Sequence, residues 1–253
     1  MSAVSSANMN NTVTKSTEMK NKEVSKITKK DCAELVAENQ ARALVYNLLS
    51  TLFAKEVTED FVTQLTSTQG QQLLHVLAFE PTLAPSIKVL SAKLAELNSK
   101  EALLTLAADF CGLFLVAGKS SVSPYAGQYI TNVDNTGSST KAPSNTQAND
   151  NNKSEQKQTF GELHQLMMAF LQHSEMQIHR DFPEPADHIA VMLAYLAHLS
   201  TSASTEVQLS FINNYLMTWL SDFTEQVKCY DPGGFYRAVA ELTFEWIKLE
   251  VSD

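Results

Sequence analysis

The sequence predicts an all-α protein that folds as a single globular helical domain. Apolar residues recur at intervals of three and four along most of the chain, which is the period of an amphipathic helix. Alternation of β-branched and polar residues never runs long enough to indicate a β-sheet. With 253 residues, of which 44% are hydrophobic, the chain can bury a substantial core. We therefore expect one helical domain over residues 31–253, with a disordered tail before it and a long polar linker within it.

The tail covers residues 1–30. Ser, Asn, Thr and Lys dominate this segment, and it contains almost no large apolar residues. Such a composition cannot bury enough surface to offset the entropy that is lost on ordering. We therefore predict that residues 1–30 are disordered.

Helical patterning begins near Asp31. The first helix carries a broad apolar face, on which Arg42 and Tyr46 stand four residues apart. Shorter apolar segments follow, broken by glycine and proline. The spacing then predicts two further helices, over Ile87–Leu97 and Leu103–Val116.

A polar segment interrupts the domain at residues 131–159. It consists mainly of Asn, Ser, Thr, Gln, Lys and Asp, and it is long for an ordered loop, so we predict a linker or an insertion. Neither flank offers many helices alone, and we expect both flanks to pack into one domain. Because a long connection permits exchange of an element between protomers, we expect a monomer or a domain-swapped dimer.

Four more helical patterns follow the linker. They cover Phe160–Gln177, Asp187–Leu199, Val207–Val227 and Gly234–Leu249. Four aromatic residues within these stripes are predicted to lie in the core. They are Trp219, Phe223, Phe235 and Tyr236.

Charge is distributed unevenly along the chain. The net charge is −9, although the first thirty residues hold six lysines and two glutamates. From Phe160 onward there are thirteen acidic residues and four basic ones. This excess repels nucleic acid and anionic lipid and attracts cations, so a basic peptide is a better candidate partner than DNA.

Location and redox state follow from what the sequence lacks. No run of about eighteen apolar residues appears, the N-terminus has no apolar signal region, and none of the three arginines is adjacent to another. We expect a cytoplasmic chain without stable membrane insertion. Cys32, Cys111 and Cys229 are scattered and odd in number, which predicts reduced and mostly buried thiols.

Motifs for catalysis are missing. The chain has no glycine-rich phosphate loop and no G-x-S-x-G elbow, so we do not expect an enzyme. One alternative remains, a helical metal-binding enzyme that uses the histidine cluster from His164 through His173 and His179 to His188. Intervals of nine, six and nine residues do not place two ligands one helical turn apart, and we expect no metal.

The segment Glu184-Pro185-Ala186-Asp187-His188, which we call the corner, is the most informative motif. Its prolines stop the preceding helix, and the apolar spacing after it indicates that a new helix begins near Asp187. Carboxylates at a helix start are explained by the unpaired amide groups there. His188 beside Asp187 could act as a base, but neighbours on a helix point about 100° apart, which leaves a partly exposed capping histidine as the simpler interpretation.

Ser123-Pro124-Tyr125 is the second candidate site. It follows the helix that ends near Gly118, and Tyr125 combines an apolar ring with a polar tip, as side chains that line grooves often do. Alternatively, Tyr125 and Tyr129 begin the next helix and pack inward.

Taken in order, several motifs resemble the TorD/DmsD/NarJ family of redox-enzyme maturation chaperones over roughly Asp31–Val251. The matching residues are Arg42 and Tyr46, Asp109-Phe110 with Leu113-Phe114, Ser123-Pro124-Tyr125 through Tyr129, the corner, Trp219 with Phe223, and Phe235-Tyr236-Arg237. The corner is the most specific of these motifs.

The resemblance implies an all-helical cytoplasmic chaperone. We expect no cofactor, because the chain shows no nucleotide motif. Such a chaperone binds the N-terminal, usually twin-arginine, leader of a molybdenum-cofactor oxidoreductase and holds the apoenzyme until its cofactor is inserted. It further implies that Glu184, Pro185, Asp187 and His188 bind the leader, with Ser123, Pro124 and Tyr125 on the facing loop. Asp187 is expected to accept hydrogen bonds from a leader arginine.

A second alternative keeps the fold and changes the client. In the nitrate-reductase branch of the family, the chaperone serves a non-exported, membrane-attached enzyme whose N-terminal segment lacks a functional arginine pair. The sequence does not distinguish these clients.

Overall fold

A computed structural model describes the backbone of residues 33–130 and 153–252, and the side chains of those ranges apart from residues 153–160. The predicted disordered tail and most of the predicted linker therefore lie outside the described residues. The last helix before the corner begins at Lys153, inside the segment predicted as linker. Lys, Glu and Gln in that stretch are good helix formers, although their polarity hides the periodicity that indicates a helix.

Ten α-helices make up the described parts of the chain, and these parts contain no β-strand. They are α1 (residues 33–54), α2 (Glu59–Thr66), α3 (Thr68–Leu77), α4 (Ala84–Glu96), α5 (Lys100–Phe110), α6 (Lys153–His173), α7 (Ile189–Ser202), α8 (Thr205–Phe211), α9 (Leu220–Tyr230) and α10 (Phe235–Ser252). The predicted all-α fold class is confirmed.

Two predicted helices are not continuous α-helices. The segment Leu103–Val116 contains the end of α5 and then a π-helical turn over Cys111–Leu115. Val207–Val227 is divided into α8, a second π-helical turn over Ile212–Leu216 and α9. Apolar spacing does not distinguish a single π turn from an α turn, because such a turn is short and is embedded in helix on both sides.

Short polar residues begin the small helices of the N-terminal half. The side chains of Thr58, Ser67 and Ser99 accept hydrogen bonds from backbone amides in the first turns of α2, α3 and α5. In the first turn of α3, Gly70 is required by close packing against α2, since a Cβ atom there would lie 2.3 Å from the carbonyl oxygen of Leu65.

The core is rich in aromatic side chains. Phe53, Phe114 and Phe223 contact one another with ring centroids 5.6–6.3 Å apart, and Tyr236 of α10 packs on Phe114 at 5.5 Å. The four aromatic residues predicted to be core are all buried, including Trp219 and Phe235. This cluster joins helices from both sides of the 131–152 gap, so the two flanks form one core, as predicted.

An ion pair connects α1 to the end of α10. The Arg42 guanidinium donates from Nε to Glu250 Oε1 at 2.9 Å and from Nη2 to Glu250 Oε2. Burial lowers the pKa of Arg42, but the hydrogen bond and charge of Glu250 outweigh this and raise it. The Tyr46 ring lies one turn further along α1 and is fully buried against Trp246, 6.1 Å away.

Neither described cysteine forms a disulfide. Cys111 is half-buried and donates to Glu56 Oε1 at 3.2 Å, and this hydrogen bond raises the pKa of the thiol. Cys229 is exposed, so the prediction of mostly buried thiols is wrong at this position. Cys229 lies on the solvent side of α9. The apolar stripe does not predict on which side of the helix a small neutral residue such as cysteine lies.

Candidate functional site

His188 is the N-cap of α7. Its Nδ1 atom accepts a hydrogen bond from the backbone amide of Ala190 at 3.1 Å, which satisfies one of the free donors at the helix start. The side chain is only 4% exposed, between the rings of Tyr125 and Phe182 at centroid distances of 5.3 and 5.1 Å. Burial lowers the pKa of His188 to about 4. The imidazole is therefore neutral near pH 7, and the prediction that it is partly exposed is wrong.

The loop at residues 121–130 pairs directly with the corner. The amide of Ala126 donates to the carbonyl of Asp187 at 3.0 Å, and the amide of Ile189 donates to the carbonyl of Pro124 at 2.9 Å. These two bonds form an isolated antiparallel bridge between Tyr125 and His188. The two motifs singled out in the sequence are therefore adjacent in space.

Asp187 lies beneath this bridge and is fully buried. Its Oδ2 atom accepts a hydrogen bond from the Gly127 amide at 3.2 Å, while Oδ1 has no hydrogen-bond partner in the described chain. Burial raises the pKa of Asp187, and the Gly127 amide and the nearby His164 oppose this increase. The Asp187 carboxylate thus binds the loop to the corner through the Gly127 amide. Because it is buried, it is less accessible to an incoming peptide than the sequence suggested.

Glu184 and Tyr125 form the accessible side of the same junction. The Tyr125 hydroxyl donates to Glu184 Oε2 at 2.5 Å, and both residues are half-buried. Burial and this hydrogen bond raise the pKa of the Tyr125 phenol, so it remains a donor. Pro185 is also half-buried, and Pro124 is buried.

A second contact holds the loop from the opposite end. Tyr129 donates its hydroxyl proton to the Ser123 carbonyl at 2.8 Å, and its ring stacks on Trp219 with centroids 5.4 Å apart. A short 3₁₀ turn at Ala126–Gln128 separates Tyr125 from Tyr129. The interpretation that these tyrosines begin the next helix is therefore wrong, since the turn ends after three residues.

Helix α6 reaches the corner through a histidine that sequence reasoning had grouped with possible metal ligands. The Ala186 backbone amide donates to His164 Nδ1 at 2.9 Å. His173 and His179 are exposed. No set of three His, Cys, Asp or Glu residues in the described ranges is arranged to hold a metal ion.

Two grooves lie along the segment that precedes the corner. The α7 groove, of about 230 Å³, lies between α1, α7 and residues 176–182, and Ala54, Met176, Ile178, Phe182, Ala190 and Ala194 line it. The α6 groove, of about 790 Å³, lies between α6 and residues 175–178, and its walls include His164, Met168 and Glu175. Met176 and Ile178 belong to both, so the grooves are contiguous.

The structure therefore brings together all seven residues that the sequence singled out. Pro124, Asp187 and His188 are buried supports, whereas Ser123, Tyr125, Glu184 and Pro185 reach the surface. The apolar wall at Met176, Ile178 and Phe182 was not found from the sequence. Its only signal is the presence of large apolar side chains in an irregular segment between two helices, where polar residues are expected.

Comparison with known proteins identifies the family. The family model described as nitrate reductase delta subunit matches residues 79–225, which include both the loop and the corner. A chaperone protein TorD from Colwellia psychrerythraea is 56% identical over 230 residues, covering 90% of this chain and 97% of that relative. The chain belongs to the TorD family of molybdoenzyme maturation chaperones.

Other TorD proteins match most of the chain at lower identity. The chaperone protein TorD of Shewanella loihica is 46% identical over 212 residues, covering 84% of this chain and 92% of the relative. That of Shewanella piezotolerans is 45% identical over 213 residues, with the same coverage. Membership of the TorD family makes the chain a chaperone and not an enzyme, which overturns the alternative of a metal-dependent enzyme.

None of the helices in the described residues is both long and apolar enough to cross a membrane.

Proposed function

We propose that this chain is a cytoplasmic chaperone that binds the N-terminal leader of one molybdoenzyme and holds the apoenzyme while its cofactor is inserted. The observation that carries the proposal is the junction of loop and corner. Backbone hydrogen bonds join the two segments directly beside an apolar groove. Such a junction offers a leader both polar groups and an apolar surface.

The apolar segment of a leader fits the α7 groove. Alanines on α1 and α7 form its base, and Met176, Ile178 and Phe182 form one wall. Small residues let a helix approach closely, while methionine adapts to side chains of different shape. Burying each large apolar side chain contributes about 1.5–3 kcal/mol, so two or three of them supply most of the binding free energy.

Leader arginines are met by the accessible carboxylates at the rim. Glu175 and Asp181 are exposed, and Glu184 is half-buried beside the groove wall at Phe182. We assign the principal arginine contact to Glu184, because Asp187 is fully buried, whereas Glu184 remains partly exposed beside its hydrogen bond from Tyr125. A charge-assisted hydrogen bond to a half-buried carboxylate fixes the register of the peptide.

The test uses a synthetic peptide that carries an Arg-Arg pair followed by an apolar segment of about 12 residues. We expect Glu184→Gln to weaken its binding about tenfold by calorimetry, which corresponds to 1.4 kcal/mol. Glu101→Gln, at an exposed site at the start of α5, is the matched control and should bind as the parent chain does.

Replacing both peptide arginines by glutamine should weaken binding by a similar factor and make Glu184→Gln silent. Equal affinity of the parent chain for both peptides would contradict arginine recognition by Glu184. No binding of either peptide would contradict leader binding at this junction.

A second client class is favoured by one specific observation. The matching family model is described as nitrate reductase delta subunit, which points to the branch with non-exported clients. In that case the Gln-Gln peptide should bind as tightly as the Arg-Arg peptide, because the apolar groove alone would supply recognition. Capture of the native client from a cytoplasmic extract, with mass spectrometry of its N-terminus, then identifies the enzyme.

A further inference from the structure

His164 occupies the point where α6 meets the corner. Its Nδ1 atom accepts the Ala186 amide at 2.9 Å, and Ala186 itself is fully buried. Because Nδ1 is the acceptor in this bond, Nε2 is the ring nitrogen that remains to donate. The hydrogen bond therefore fixes both the tautomer and the ring orientation of His164.

The neighbouring peptide unit shows why this bond matters. Ala186 immediately precedes Asp187, whose carbonyl accepts the Ala126 amide and whose carboxylate accepts the Gly127 amide. The same turn is closed by the His188 amide, which donates to the Pro185 carbonyl at 3.0 Å. The Ala186 amide has no backbone acceptor among the described residues, and His164 supplies its acceptor.

His164 also lines the α6 groove, which continues into the α7 groove along Met176 and Ile178. One side chain therefore lines a groove that is contiguous with the groove proposed for the apolar segment, and it also binds the backbone that carries Glu184. Removing the acceptor would leave a buried amide without a partner, and the turn would shift to expose that amide to water.

We infer that His164 is a positioning residue of the leader site, which sets the distance between Glu184 and the apolar groove by holding the Ala186 amide. The inference rests on the proposed function. It assigns His164 a backbone-holding role in place of the metal-ligand role considered from the sequence. His164 does not itself contact the leader in this arrangement, so its Nδ1 acceptor is the property that binding requires.

This acceptor can be retained or removed without changing the helix. Asparagine places its side-chain oxygen close to the position of Nδ1 and has a helix propensity similar to that of histidine. Leucine fills the space but cannot accept a hydrogen bond. His173, also on α6 but exposed, provides the matched control with the substitution His173→Leu.

Two measurements are made on His164→Asn, His164→Leu and His173→Leu. Amide hydrogen exchange reports the Ala186 bond directly, and calorimetry with the Arg-Arg peptide reports leader binding. We expect His164→Leu to exchange at Ala186 at least tenfold faster and to bind about tenfold more weakly. His164→Asn and His173→Leu should match the parent chain within about twofold in both measurements.

Each other outcome has a definite meaning. If His164→Asn binds as weakly as His164→Leu while Ala186 stays protected, the ring itself contacts the peptide and the positioning role is overturned. Unchanged exchange in His164→Leu would also overturn it. If the parent chain binds no peptide, the proposed function fails, whereas the exchange measurement still decides whether His164 holds the corner.

Discussion

At the residue scale, two buried polar groups, His188 and Asp187, define the site. They follow each other in the chain but have different partners, because one caps α7 and the other accepts the Gly127 amide of the facing loop. Burial disfavours the charged form of both, lowering the pKa of His188 and raising that of Asp187. Such groups persist in an apolar environment only where hydrogen bonds compensate for lost hydration.

The low pKa of His188 makes stability depend on pH. An unfolded histidine has a pKa near 6.5 and the folded one about 4, so between these values the unfolded chain binds the proton that the folded chain excludes. This contribution to stability is complete above pH 6.5 and is lost as pH falls towards 4. At 1.36 kcal/mol per pH unit, the loss amounts to about 3 kcal/mol.

The measurement compares the parent chain with His188→Asn, which keeps an N-cap acceptor but does not titrate. Urea unfolding at a series of pH values should show the parent losing about 3 kcal/mol relative to the variant between pH 7 and pH 4. Asp187 is present in both proteins, so its titration cancels in the difference. Parallel pH profiles would contradict the burial of a neutral His188.

At the element scale, short helices and π turns place the loop at residues 121–130. The π turn after α5 ends in a backbone bond from Val122 to the Leu113 carbonyl at 2.7 Å, which directs the chain towards the corner. A second π turn precedes Trp219, on which Tyr129 stacks. In the N-terminal half, α3 packs tightly against the end of α2 at Gly70, where a Cβ atom would meet the Leu65 carbonyl.

Gly70→Ala tests that packing. The added methyl group would meet the backbone carbonyl of Leu65, which cannot move as a side chain could, so we expect a loss of about 1–3 kcal/mol in unfolding free energy. Gly112→Ala is the control, because a Cβ atom there meets nothing within 4 Å. It should be neutral or stabilising by up to about 1 kcal/mol in the same denaturant titration. Equal effects of the two substitutions would contradict the close contact.

At the scale of the whole molecule, the fold is closed by contacts between distant parts of the chain. Arg42 and Glu250 lie near the two ends of the described residues, and their ion pair joins the first and last helices. The side chains of Arg42 and Glu250 are only 16% and 9% exposed. Loss of one partner therefore leaves a charge that is poorly hydrated.

A double-mutant cycle measures this closure. We expect Arg42→Met to lower the unfolding free energy by about 2 kcal/mol, because Glu250 is then left without its cation. The double variant Arg42→Met/Glu250→Leu should recover at least half of that loss, since no unpaired charge remains. Thermal or urea unfolding gives all four values, and additive effects of the single substitutions would show that the pair is not coupled.

Much of this structure could be anticipated from the sequence. The period of the apolar residues predicted the helices, and the order of the corner, the tyrosine loop and the closing aromatic residues predicted the family. Both features can be read from the sequence, because the first depends on the spacing of nearby residues and the second on the order of motifs along the chain. The predicted core aromatic residues are buried for the same reason, because a helix buries its apolar stripe wherever it packs.

Only the tertiary structure decided which polar residues are reachable. Asp187, His188 and Glu184 look equivalent in the sequence, yet the first two are covered by the facing loop and the third remains at the surface. The role of His164 was equally hidden, because its partner is a backbone amide 22 positions away. Burial and backbone pairing depend on how distant segments pack, and a single sequence determines the segments but does not display their contacts.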